Sequence, residues 1–184
     1  MKYIMPVVFL FSTFSLAQEI NWKNLSVGGT IQYVIPEGDF GEYWEPAFAF
    51  GICGKLKLNP FFSLVGEATY SYFPIKKSAD TIQAPNISFL NLSSGIQFSI
   101  RLSSTIQSNF GFGIDNNTFT FVGESAEDLG DNNTESEFGT YIQTGVLLEF
   151  KNLPSFELNV KLERIFTSPE RITVIKFGFS TYFF

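Results

Sequence analysis

Eight times along the chain, apolar and polar residues alternate with a period of two. In FELNVKLERIF, Phe156, Leu158, Val160 and Leu162 fall on one face, and Glu157, Asn159, Lys161 and Glu163 on the other. Side chains of a β-strand point alternately to its two faces, so the pattern reads as a strand with one apolar face. The same alternation sets Val27, Ile31 and Tyr33 against Ser26, Thr30 and Gln32, and Phe48, Phe50 and Ile52 against Ala49, Cys53, Lys55 and Lys57. It returns around Glu67 and Thr69, around Asn91 to Gln97, around Asn109 to Asp115, around Tyr141 to Glu149, and around Lys176 to Tyr182. The segments run to about 10–13 residues, beyond the usual 5 or 6 of a soluble strand. A strand crossing a bilayer needs about 9–11.

The connections also follow a rule. Asn59-Pro60, Arg101 to Ser104 and Lys151 to Pro154 read as tight turns, whereas Ile35 to Pro46, Pro74 to Asn86 and Val122 to Glu137 read as longer loops. Thr167 to Arg171, between the last two strands, is short. Short turns at one end and longer loops at the other are the habit of outer-membrane barrels, with the short turns in the periplasm. The expected fold is therefore all-β, an eight-stranded antiparallel up-and-down transmembrane β-barrel, with no internal domain boundary.

The first residues, MKYIMPVVFLFSTFSLAQ, carry a basic Lys2, an apolar run from Ile4 to Phe11 and the small-x-small site Ser15-Leu16-Ala17. This is the form of a secretory signal peptide over 1–17, which leaves 18–184 as the barrel. Cys53 is the only cysteine, so an exported chain of this kind must hold without disulfides. It carries 23 Phe and a mean hydropathy of +0.12, aromatic surface that needs either a core or lipid to cover it. The net charge of −6 argues against a nucleic-acid partner.

Alternation alone does not say which face meets water, because a secreted lipocalin-like barrel alternates too. Three features favour lipid on the apolar side. The polar face is rich in Gly and Ser, which suits a narrow interior. Phe and Tyr collect near the strand ends, as interfacial girdles do. The sequence closes inside a strand, at STYFF. The polar-face charges also nearly cancel: Lys55, Lys57, Lys161 and Lys176 against Glu67, Asp115, Glu149, Glu157 and Glu163. Near-neutrality is what a closed interior demands, since unpaired buried charge is costly. These nine residues are the expected interior charge network.

The leader, the stretch VGGTIQYVIPEGDFGE, the eight alternating strands and the final aromatic resemble the small outer-membrane β-barrel proteins, the OmpA/OmpX-like group. The best local match is Pro36-Glu37-Gly38-Asp39-Phe40, similar to a P-x-G-D-F first-loop pattern in that group. The resemblance implies an outer membrane of a Gram-negative-type bacterium, outer-membrane lipid around the barrel, and an assembly machinery that reads the terminal Phe184 during biogenesis.

Barrels of this kind that are enzymes resemble one another in using a histidine, and this chain has none. Ser–His and Asp–His mechanisms are thereby excluded. Paired inner carboxylates are a conceivable acid/base couple, with a space-filling ion-pair network as the commoner arrangement. Cys53 is expected as a small buried filler. The loops Pro36 to Pro46 and Val122 to Glu137 hold ten of the eighteen acids and no Lys or Arg. Within the second, Asp131, Asn133, Glu135 and Glu137 alternate as hard-cation ligands do, without the central Gly of an EF-hand loop. Asp80-Thr81-Ile82 is similar to the D-T-aliphatic O-glycosylation site of some Bacteroidota-type exported proteins. No cofactor is called for. The expected role is non-enzymatic, structural or interactive through acidic extracellular loops. The rivals are a narrow pore, an accessory subunit of an envelope complex with an unknown protein partner, and a soluble barrel for an apolar ligand.

Overall fold

The structure is a computed structural model that describes residues 24–77, 85–123, 133–151, 153–167 and 171–183. The leader, Asp80-Thr81-Ile82, Asp131 and Phe184 lie outside the described residues. Eight strands follow one another: β1 Leu25–Glu37, β2 Ala47–Lys57, β3 Phe62–Phe73, β4 Asn86–Arg101, β5 Ile106–Val122, β6 Thr134–Leu148, β7 Ser155–Phe166 and β8 Arg171–Tyr182. Each pairs antiparallel with the next, and β8 returns to β1, so the sheet closes without an edge. One short helix, α1 Gly38–Tyr43, stands between β1 and β2.

The polarity of the barrel is inverted relative to a soluble one. Phe50, Ile52, Phe112, Leu158 and Phe177 face outward and exposed, while Gln32, Asn91, Glu157, Lys161, Glu163 and Lys176 are buried inside. Water would not tolerate so continuous an apolar exterior, and lipid requires it. The register fixes the belt. Val160 lies between Thr144 and Phe177 on its neighbours, so a residue facing lipid on β7 is flanked by residues facing lipid.

At the end bearing the chain's first strand and last strand termini, the turns are tight. Asn59 Oδ1 accepts from the Phe61 and Phe62 amides at 2.8 and 2.9 Å, and Ser103 Oγ accepts from those of Thr105 and Ile106 at 3.2 and 3.1 Å. Such side-chain acceptors stand in for the backbone bonds that a short turn leaves open.

Two loop boundaries differ from the sequence expectation. β1 continues to Glu37 and is followed by α1, and β6 begins at Thr134. The extra length of β4, β5 and β6 carries a hydroxyl-rich outer face: Thr118 and Ser136 oxygens are 3.1 Å apart, Thr120 and Thr134 3.4 Å, and Tyr70 and Ser88 2.8 Å. Polar cross-strand pairs there mark where the apolar belt gives way to water.

Candidate functional site

The site is the lumen, because the charged side chains converge there. Glycine makes room for part of it. Gly95 and Gly113 face each other across β4 and β5, and a Cβ on either would press on backbone and on the Tyr141 ring. Tyr141 therefore packs against bare backbone, with Lys161 Nζ 4.5 Å from its ring centroid.

Charges fill the lumen in tiers. At the short-turn rim, Glu149 accepts from Lys57 at 2.6 Å and from Arg101 at 2.9 Å, with Gln107 also donating to it. Deeper, Lys55 reaches Glu157 at 2.6 Å, and the other Glu157 oxygen accepts from Gln97 at 2.7 Å and Asn109 at 3.1 Å. Next, Lys161 bonds Glu67 at 2.8 Å and Ser93 Oγ at 3.2 Å, while Gln32 donates to Glu67 at 2.7 Å. Lys161 and Lys176 are register partners, a like-charge opposition that destabilises a sheet unless each cation finds an acid. Lys176 Nζ lies 2.5 Å from Glu163 Oε2, an ion pair held by charge without the alignment of a hydrogen bond. Asn91 donates to Glu163 at 3.1 Å and to Asn117 at 2.6 Å, and Asn117 donates to Asp115. Asp115 forms no ion pair among the described residues.

Two of the pairs, Lys55–Glu157 and Lys161–Glu67, cross the barrel. Lys55 and Lys161 find acids on strands far around the wall, only Glu163 pairs with its adjoining strand, and Glu149 belongs to the rim. An eight-stranded interior is just wide enough for side chains, so a lysine stem spans it.

Above this polar column the lumen turns apolar, which corrects the expectation of a polar interior throughout. Val34, Ala49, Phe73, Ile87, Phe89, Phe119, Ile165 and Val174 form one buried cluster at the long-loop end. Phe40 of α1 enters it from above, 5.5 Å from Phe73 and 6.1 Å from Phe119 between ring centroids. Gly38 enables this: its φ of 63° turns the chain back over the mouth, a conformation that favours glycine. Trp44 Nε1 donates to Pro85 O at 3.0 Å, and Lys76 donates to Gly41 O, which ties the cap to the β3–β4 connection. Lys176 Nζ, 5.4 Å from the Phe89 ring, joins the two layers.

Cys53 is buried, with its thiol 3.7 Å from Gly29 O. Tyr182 also points inward, under Lys55 Nζ at 4.7 Å. Of the acidic-loop set, Asn133 precedes β6, and Glu135 and Glu137 lie on it as register partners of Phe119 and Asn117. No group of three or more His, Cys, Asp or Glu suited to a metal occurs among the described residues. The sequence reading passed over Arg101, Gln32, Gln97, Asn91 and the Phe40 cap. The amides lie in phase with the charged residues, which was the available signal.

Burial pushes the Glu149 carboxyl up, but the hydrogen bond and charge of Lys57, with Arg101, hold it below its ordinary value of 4.5. A depressed folded pKa gives stability that is complete above 4.5 and is lost as pH falls through the lowered value. Acid titration of the refolded barrel is expected to show this loss, and Glu149→Gln to flatten it. A Glu149→Gln profile parallel to the parent's would show that the rim pair does not carry it.

No protein-family model and no curated protein matches the sequence. Solved structures do match. Neisserial surface protein A is 12% identical over 86% of this chain and 96% of that one, with a TM-score of 0.65. OprG from Pseudomonas aeruginosa is 12% identical over 86% and 95%, with a TM-score of 0.57. The fold is that of the small eight-stranded outer-membrane barrels. AlkL, solved in DMPC lipid bilayers, is 11% identical over 91% of this chain and 94% of that one, with a TM-score of 0.52. Identities this low speak to the fold alone, which the outer-membrane barrel shares while filling its lumen with its own residues.

Proposed function

We propose that this is a non-enzymatic outer-membrane barrel of a Gram-negative-type bacterium, with a plugged lumen and an interaction role for its acidic extracellular surface. The observation that carries this reading is the occupied lumen, in which three buried Lys–Glu pairs stand in series beneath an aromatic cap. A conducting path would have to break both layers. The carboxylates of the column are engaged by cations and amides, which supports a space-filling role over acid/base chemistry. At the mouth, Glu37, Asp39, Glu42 and Glu45 are all exposed around α1, and none forms an ion pair among the described residues. An acidic patch of this kind suits a basic surface on an envelope partner.

Two measurements test the reading. In planar bilayers the reconstituted protein is expected to show no steady conductance, and discrete, reproducible openings would replace the reading with a narrow pore. Proteins that co-purify from intact outer membranes are expected to be lost from the variant Glu37→Gln/Asp39→Asn/Glu42→Gln/Glu45→Gln. Undiminished co-purification would remove the acidic loop from the role.

A further inference from the structure

The lipid-facing surface is not evenly filled. A groove of about 1040 Å³ crosses it from Leu25 and Gly54, near the short-turn ends of β1 and β2, to Arg164, near the long-loop end of β7. Part of its floor is a row of register partners, Gly54, Gly66 and Ser94, too small to complete the belt. Leu56, Leu64, Ile96 and Phe112 line it as apolar walls. From β2 to β7 the path spans five strand intervals, about 24 Å at the usual spacing. Barrel strands tilt, so a path along the hydrogen-bonding direction descends through the bilayer as it circles the wall. The groove is therefore long, apolar and inclined, with its upper end at the outer-leaflet side.

At that end stands a cation with no ion-pair partner among the described residues. Arg164 is exposed on the outer face, between the inward-facing Glu163 and Ile165, and it makes no ion pair among the described residues. It lies two residues short of the outward Phe166, and so inside the edge of the apolar belt. A charge facing lipid there is tolerated when its head group reaches the interface. A guanidinium presents a fork of donors that matches a phosphate.

We infer that this groove is a binding site for an anionic, phosphate-bearing acylated lipid of the outer leaflet, its phosphate on Arg164 and one acyl chain laid along Gly54, Gly66 and Ser94, with phosphatidylglycerol as the probe. The inference goes beyond the proposed loop interaction and does not depend on it.

The test is native mass spectrometry of the barrel taken from equimolar phosphatidylglycerol and phosphatidylcholine of identical chains. The parent is expected to retain phosphatidylglycerol over phosphatidylcholine by about fivefold, the scale of one partly exposed ion pair. Arg164→Gln is expected to equalise the two lipids. Gly66→Leu is expected to lose both, because it fills the groove. A Cβ at position 66 meets nothing closer than Ser93 O at 3.8 Å, so the wall accepts it. Folding of each variant is checked by its mobility in unheated detergent gels. Absence of headgroup preference in the parent, an unchanged ratio in Arg164→Gln, or full retention by folded Gly66→Leu would each overturn the site.

Discussion

Lys161→Met is expected to destabilise the refolded barrel by about 3–5 kcal/mol in urea titrations, the usual result of breaking a buried ion pair by removing one partner. The lysine side chain is 2% exposed, and it serves Glu67, Ser93 and the Tyr141 ring together. Methionine leaves Glu67 with Gln32 as its hydrogen-bond partner and without its ion pair. The second substitution Glu67→Gln is expected to recover part of the loss, because the two sites share one interaction and do not add. Glu157→Gln, paired elsewhere with Lys55, is expected to add to the damage. A Lys161→Met barrel as stable as the parent would show that the polar face is solvated, and the filled lumen would have to be abandoned.

Val160→Arg is expected to cost about 2–4 kcal/mol or to prevent insertion, as arginine on the lipid face of a barrel does near mid-membrane. Val160 faces outward beside Thr144 and Phe177, which offer a guanidinium no carboxylate to pair with. Leu158→Arg, nearer the short-turn rim, is expected to cost less, since the penalty falls toward the interfaces. Asn159→Ser, on the inner face, is expected to change little. Equal tolerance of all three in lipid refolding assays would reverse the assignment of the two faces.

The facing of the strands was legible in the sequence because one period-2 phase runs unbroken through each belt segment, as in Phe48, Phe50 and Ile52. The upper lumen was not, because there the phase changes. On β5, Phe110 and Phe112 face lipid, but Phe119 packs inside with Phe121 beside it, and Thr118 and Thr120 take the outer face. Beyond the membrane a strand no longer needs grease outside, so its apolar residues can turn inward. α1 escaped notice because six residues are too few to show a helical period. Residue type and phase place charges on the polar face, but they do not say which partner each one meets. Which acid meets which lysine depends on how the wall curls around the lumen, and strand alternation does not encode that.

The cross-lumen pairs also bear on how the barrel can enter a membrane. Lys55 and Glu157 are 102 residues apart in the chain, and Lys161 and Glu67 are 94 apart. A β2–β3 hairpin embedded by itself would carry Lys55 and Glu67 into lipid without their acid and base, and a β7–β8 hairpin would do the same with Glu157 and Lys161. No early fragment is electrically complete, so hairpins added one at a time to bare lipid would each meet the energy of an unpaired charge. The cross-lumen charges fall silent together when β1 meets β8. That couples insertion to closure as one all-or-none event, and gives a sheltered, protein-assisted route its advantage for this chain.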